Sequence, residues 1–380
     1  MANYKVEFVG REDLLALDVG DTWQDMPIIS TIPGYRQAII ELPDDWTLMQ
    51  VGLFFGSNVA DIVDWRPEHE DYQILGFPDV GALAEGLAVG DTFLNHGLTA
   101  DVLTRGKSGE GAVIAICDTG IDSRHSFFQG VNVTGDLNDG HGHGTHMGSI
   151  AGGNKGIAPK AHIISFKVLD DSGRGSEASV ANGIRAAAEA GADEISLSLG
   201  GGPSQVIDDA CTYAKTLGSI VIAAAGNTPN APIGSPARSA DIIVLACDRQ
   251  DQPASFTSGR NWSNANRTYG NGVSIEAALT NTLNGTIIFS GTSPATPHIA
   301  ALDALLKSNG MSRTDRLAYL FSHRVTPPES PGKTFMRADF GGTVPEPVPG
   351  PARRWVRFFL EFTLSDGSKQ YAAGDVDAPP

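Results

Sequence analysis

A chain of 380 residues with a hydrophobic fraction of 41% and a charged fraction of 19% has the composition of a folded globular protein, which excludes a disordered one. Its net charge of −17 is concentrated at the start: residues 1–110 carry 19 acids against 6 bases, a net −13, and the rest carry a net −4. That asymmetry predicts a separate N-terminal unit, and without clustered Lys and Arg neither nucleic acid nor an anionic membrane is the expected partner. The opening MANYKVEFVGREDLL has no basic segment followed by an apolar core, and no apolar run reaches the roughly 20 residues of a membrane helix. A cytoplasmic protein is therefore expected. Cys117, Cys211 and Cys247 sit in apolar or helical contexts and are an odd number, so they are read as buried thiols.

In chain order, residues 1–85 are read as an acidic α+β module, with strands in YKVEFVG, QAIIELP and TLMQVGLFF between the turns ELPDDW and RPEHEDY. Residues 86–340 form the main domain. Its continuous apolar runs Ala112–Cys117, His162–Val168, Glu194–Leu199, Ser219–Ala224 and Ile242–Ala246 predict buried parallel strands. Helical patterns at His146–Ala151, Ser176–Ala190, Ser204–Thr216 and Pro297–Ser308 separate or follow them. The alternation implies an α/β fold, a doubly wound and mostly parallel sheet with helices on both faces, whose ligands sit at the strands' carboxyl ends. Residues 341–353 (GGTVPEPVPGPAR) are a Pro-rich linker, and residues 354–380 predict a β-hairpin extension turning at SDGS.

Three segments carry candidate chemistry. In ICDTGID (116–122) an apolar strand ends at Asp118, where a carboxylate can orient an imidazole; Asp-Thr-Gly also marks aspartic proteases and plain turns. In DGHGHGTHMGSIAGG (139–153) a glycine-rich loop leads into a helix that starts around His143–His146. His141, His143 and His146 are a rival metal set, but their spacing is not that of a zinc helix and no Glu stands among them. A phosphate loop would need a strand leading through glycines into a Lys-Ser/Thr helix start. In FSGTSPATPHIAALDALL (289–306), Ser293 before Pro294 reads either as a helix N-cap with Pro at the first helical position or as a nucleophile favoured by the helix N-terminus.

Taken together, D-T-G-I-D (118–122), H-G-T-H (143–146) and G-T-S-x-A-T-P-H (291–298), in that order, resemble the subtilisin-like serine proteases. The resemblance runs from about residue 95 to 325 and extends to ISLSLGG (195–201) and VIAAAGN (221–227).

It implies a serine endopeptidase with Asp118, His143 and Ser293 as triad and Asn227 as oxyanion donor beside the Ser293 backbone N–H. A protein or peptide substrate would bind as an extended strand between Gly173, Arg174 and Gly175 on one side and Ser198, Leu199 and Gly200 on the other. Ala224, Ala225 and Gly226 resemble one wall of the pocket for the side chain before the cut, with room for a large apolar group. No cofactor is implied; calcium is not expected at the loop after His143, where AGGNKG is too brief to wrap an ion, and stays open elsewhere. Pro294 stands where the family usually has Met, and it fits a helix start. For residues 1–85 two readings stay open, a self-inhibiting prodomain and a permanent docking domain. The alternative function is a catalytically silent peptide-binding protein using the same cleft.

Overall fold

The computed structural model describes residues 108–248 and 252–322, Tyr72–Ile74, and the backbone of further strands before and after them. At the start, β1 (Ala2–Phe8), β2 (Thr22–Trp23), β3 (Met26–Ile32), β4 (Gln37–Leu42) and β5 (Ile62–Pro67) form an antiparallel sheet in the order β2-β3-β4-β1-β5. The expected strand in TLMQVGLFF, any helix of this module and the linker 341–353 lie outside the described residues. The chain then supplies β6 (Tyr72–Ile74), β7 (Gly76–Pro78) and β8 (Leu87–Ala88), each of which joins a strand of the main domain.

The main domain runs β9 (Val113–Asp118), β10 (Val133–Gly135), α1 (His143–Gly152), β11 (His162–Lys167), β12 (Arg174–Gly175), α2 (Glu177–Glu189), β13 (Glu194–Leu197), β14 (Leu199–Gly200) and α3 (Gln205–Thr216). It continues through β15 (Ile220–Ala224), β16 (Ile242–Cys247), β17 (Arg267–Asn271), β18 (Ile275–Ala278), β19 (Thr286–Gly291), α4 (Thr292–Ser308) and α5 (Arg313–Ser322). Its centre is a seven-stranded sheet in the order β10-β11-β9-β13-β15-β16-β17, parallel at every pairing. This is the doubly wound sheet expected from the apolar runs. At the far end of the chain β20 (Arg354–Thr363) pairs antiparallel with β21 (Lys369–Ala378).

Successive side chains of a strand point to opposite faces, so each apolar run feeds two cores. Ile114, Ile116, Ile222 and Val244 face Met147 and Ile150 of α1 and Leu302 and Leu305 of α4. Ala115, Cys117, Val221, Ala223 and Ile243 face Val180 and Ile184 of α2 and Ile207 and Cys211 of α3. All three cysteines are buried and none is in a disulfide. Burial pushes the Cys211 thiol up to about 12 and Cys117 also well above its ordinary value, so neither forms a thiolate.

Helix α5 is fastened to the first of these cores by a buried ionic cluster. Arg316 Nε lies 2.9 Å from Asp303 Oδ2, and the same guanidinium lies 3.7 Å from Glu194 Oε1. Burial and the neighbouring Asp303 hold the Glu194 carboxyl well above the usual range and favour its neutral form, and Asp193 Oδ1 lies 3.9 Å from Arg316 Nη1.

The structure corrects several expectations. The run Glu194–Leu199 is broken at Ser198: β13 stays in the central sheet, while β14 turns out of it into a three-stranded sheet with β6 and β12. Helix α1 begins at His143, at the near edge of the His143–His146 turn where its start was expected, and runs to Gly152. Helix α4 begins at Thr292, five residues early, and carries Pro297 within it. Ser293 is therefore not the N-cap, which is Gly291, and Pro294 is the third helical residue. Pro294 lies in the first turn, where N–H groups have no intrahelical partner to lose, and the Ser293 carbonyl that Pro297 cannot serve accepts from Ser198 Oγ at 3.0 Å.

Candidate active site

Asp118 closes β9 at its carboxyl end, and His143 opens α1 beside it. His143 Nδ1 donates to Asp118 Oδ1 at 2.7 Å, with both side chains buried. The Thr119 N–H donates to the same oxygen at 2.8 Å and fixes the carboxylate's orientation. His143 Nε2 has no hydrogen-bond partner among the described residues.

The start of α1 is built by residues that the sequence reading passed over. Its N-cap, Gly142, has φ of 100°, and a Cβ there would approach Thr280 Cγ2 to 2.8 Å, so glycine is required and no side chain caps the helix. Asp139 takes over from three residues upstream. Its Oδ1 accepts from Gly142 N at 2.7 Å and His141 N at 3.1 Å, and its Oδ2 accepts from Thr145 N at 2.9 Å and Thr145 Oγ1 at 2.6 Å. Thr119 Oγ1 donates to Asp139 Oδ1 at 2.9 Å and accepts from Gly144 N at 2.9 Å, tying the Asp118 strand end to the helix. The carboxylate also suits the positive end of the helix dipole. An Asp just ahead of a helical pattern was the signal available for this role.

Ser293 is the second residue of α4, which packs against α1. Phe289, on the strand leading into α4, lies 6.0 Å from the His143 ring and 4.6 Å from the His146 ring, centre to centre. Ser293 Oγ donates to Ser198 O at 2.8 Å, and Ser198 Oγ returns a bond to Ser293 O at 3.0 Å. The hydroxyl is thus held on the break between β13 and β14 and not on His143. Asn227 follows β15, and its Oδ1 accepts from Thr292 N at 2.9 Å and Thr292 Oγ1 at 3.1 Å. That pairing caps α4 from a different segment and commits the acceptor end of the amide.

The three histidines of the glycine-rich loop do not converge on a metal. His146 is buried, shares its Nε2 proton between the Ile275 and Ile287 carbonyls at 3.2 Å each, and is held neutral, its value pulled down to about 3 by burial and the neighbouring His143. His141 is half-buried, and its Nδ1 accepts from His143 N at 3.3 Å. Among the described residues no group of three His, Cys, Asp or Glu could hold a metal ion. No described helix is long and apolar enough to cross a membrane.

The segments named for substrate binding form two facing edges, and a strand lies between them. Strand β6 pairs antiparallel with β12 (Gln73 opposite Arg174, Tyr72 opposite Gly175) and with β14 (Ile74 opposite Leu199, Gln73 opposite Gly200). Ile74 N also donates to Gly173 O at 3.2 Å. Beyond it β7 pairs antiparallel with β19, Gly76 opposite Gly291 and Phe77 opposite Ser290. The space between these two edges is therefore filled by β6, and β7 pairs beside the strand that leads into α4. Ala224 and Ala225 are buried at the end of β15, and Gly226, with φ of 105°, turns the chain into Asn227.

Residues 109–325 match the Subtilase family. Thermitase from Thermoactinomyces vulgaris is 41% identical over 229 residues, covering 54% of this chain and 78% of thermitase. A thermophilic serine proteinase from Bacillus sp. (strain AK1) is 35% identical over 230 residues, covering 56% of each, and a subtilisin-like protease 3 from Arthroderma otae is 37% identical with the same coverage. The match thus spans just over half the length of these last two relatives. A solved structure, a cold adapted subtilisin-like serine proteinase, superposes with a TM-score of 0.55 at 30% identity, covering 61% of this chain and 89% of that one.

Proposed function

The chain belongs to the subtilase family, and from that premise we propose that it is a serine endopeptidase in which Ser293 is the nucleophile, His143 the general base and acid, and Asp118 its orienting partner. The observation that carries this reading is the buried Asp118–His143 pair at 2.7 Å beside the helix that opens with Ser293. Because Nδ1–H is committed to Asp118, the lone pair of His143 is on Nε2. Ser293 Oγ reaches it by turning about χ1 away from Ser198 O. That turn frees the Ser198 carbonyl to accept a backbone N–H from a substrate strand paired with Leu199–Gly200. Oγ then bonds to the scissile carbonyl carbon while its proton passes to Nε2. The oxyanion is met by the Ser293 N–H and the Asn227 amide, and collapse expels the amine, which takes the proton from Nε2. Water attacks the acyl-enzyme by the same route and restores Ser293.

The N-terminal region enters the same proposal as the cleft's first occupant. Ile74 ends its pairing opposite Leu199, and Gly76 begins pairing opposite Gly291, two residues before Ser293. The bond proposed for cleavage is Leu75–Gly76, with Leu75 the apolar residue before the cut. Residues 1–75 then act as a self-inhibitory module until they are released, and β3, whose backbone comes close to α2, gives that module a second point of attachment.

Labelling by a serine-directed fluorophosphonate tests the nucleophile. Labelling of the wild-type chain, before or after limited proteolysis, that is lost in both Ser293→Ala and His143→Ala is the expected result. Labelling that persists in Ser293→Ala overturns the assignment.

A further inference from the structure

Strand β6 lies in the cleft with Tyr72 turned inward: Tyr72 is 1% exposed, whereas Gln73 is open to solvent. An apolar pocket would accept any large ring here. The floor of this one is polar. Tyr72 Oη donates to Gly202 O at 2.7 Å, and Ser204 and Ser235 are its polar neighbours.

Those neighbours are themselves held in place. Ser235 Oγ accepts from Ser204 N at 2.9 Å and donates to Asp208 Oδ1 at 2.7 Å, and Asp208 is clamped by Arg238 Nε at 2.6 Å. Burial, followed by the nearby Glu177 carboxylate, pushes the phenol above its ordinary value, so the pocket takes the neutral hydroxyl. The arrangement is a rigid receptor for a phenol, assembled at the starts of α2 and α3 and away from the reacting groups.

We infer that this pocket recognises tyrosine by its hydroxyl as well as its ring, so that the preferred substrates carry Tyr three residues before the residue whose carbonyl is attacked. The inference rests on the endopeptidase reading above. A phenylalanine would fill the same volume but leave the Gly202 carbonyl without the hydroxyl's hydrogen bond. A fully sealed site built to bind a hydroxyl can reject the analogue lacking it by orders of magnitude. Gly202 itself is exposed, so water can replace part of the lost bond, and the expected discrimination is about tenfold. Loss of the whole ring to Ala is expected to cost about a hundredfold or more.

The test uses internally quenched peptides built on Tyr-Gln-Ile-Leu-Gly-Phe, with Tyr, Phe or Ala at the first position, and the wild-type chain after its own cleavage has gone to completion. A kcat/KM for Tyr about tenfold above Phe, with Ala lower still, is expected. Equal turnover of Tyr and Phe peptides overturns the inference while leaving the endopeptidase reading intact. If no peptide is cut at all, that reading fails, and the pocket is judged without catalysis by hydrogen exchange of the Tyr72–Ile74 amides in full-length Ser293→Ala. Exchange about tenfold faster with Tyr72→Phe added supports hydroxyl recognition; unchanged exchange overturns it.

Discussion

The two faces of the central sheet start their helices differently, and the difference follows what each face supplies. Helices α2 and α3 open with serine N-caps: Ser176 Oγ accepts from Ser179 N at 3.1 Å, and Ser204 Oγ accepts from Ile207 N at 3.5 Å. Helices α1 and α4 open behind glycines with no side-chain cap, and their first turns carry His143 and Ser293. Their unsatisfied N–H groups are met from elsewhere, by Asp139 and Thr119 for α1 and by Asn227 for α4. A self-capped helix start fixes only itself. A start capped from another strand also fixes where its first side chains stand relative to that strand, which is what a multi-residue site requires. The α2/α3 face instead provides edges and a pocket, Gly175 leading into α2 and Gly200 leading toward α3.

The comparison is broken most forcefully at Asn227. Asn227→Asp keeps the acceptor for Thr292 N but replaces the donor with negative charge. We expect kcat to fall by about 10²–10³, the magnitude already known for loss of this donor in a subtilisin, with the melting temperature little changed. A large stability loss with unchanged kcat per folded molecule would make Asn227 a cap only. Asp139→Ala removes acceptors for five hydrogen bonds at once, and about 3 kcal/mol of stability is expected to go with them. Urea unfolding in the Ser293→Ala background, which removes self-digestion, measures it.

The chemistry face also carries two buried neutral histidines, His146 held at about 3 and His298 at about 4 against an ordinary 6.5, chiefly by burial. Both values are depressed, so below pH 6.5 the unfolded chain takes up protons that the folded chain refuses. Stability should fall as pH drops from 6.5 toward 4, by about 1.4 kcal/mol per pH unit for each histidine, and neither should contribute above 6.5. His298→Gln should remove about half of that slope in urea midpoints between pH 6 and 4, and an unchanged slope would contradict the assignment. At the small end, Ser176→Ala removes an ordinary cap from α2 and should cost about 1 kcal/mol with kcat unaltered. A change in kcat beyond about twofold would mean that helix starts on this face also position the chemistry.

The same contrast governs what could be read in the sequence. The central strands were legible because a strand buried on both faces is a continuous apolar run, as in Ile242–Cys247. Strands β10 and β17 were not: Val133–Gly135 is three residues long, and Arg267–Asn271 (RTYGN) has no apolar run. The start of α4 was placed late because its glycine cap gives no cap signal, whereas the glycine-rich turn at His143–His146 marked α1 and Ser176 and Ser204 marked α2 and α3. Asp118, His143, Ser293 and Asn227 were legible only as members of ordered motifs. Asp139 had a local signal in its place just ahead of the helical pattern, whereas Thr119 acts through bonds across 20 to 25 positions that no local pattern encodes. Tyr72 reaches Gly202 across 130 positions through a strand of three residues, too short for any periodicity to announce it.

If Ser293 is an activated nucleophile whose cleft is first filled by its own chain, the intact mass of the wild-type protein beside Ser293→Ala reports it. The wild type is expected to separate into fragments of residues 1–75 and 76–380, while Ser293→Ala stays whole. A wild type that stays whole under conditions where Ser293 is labelled, or a cut at the same bond in Ser293→Ala, would contradict it.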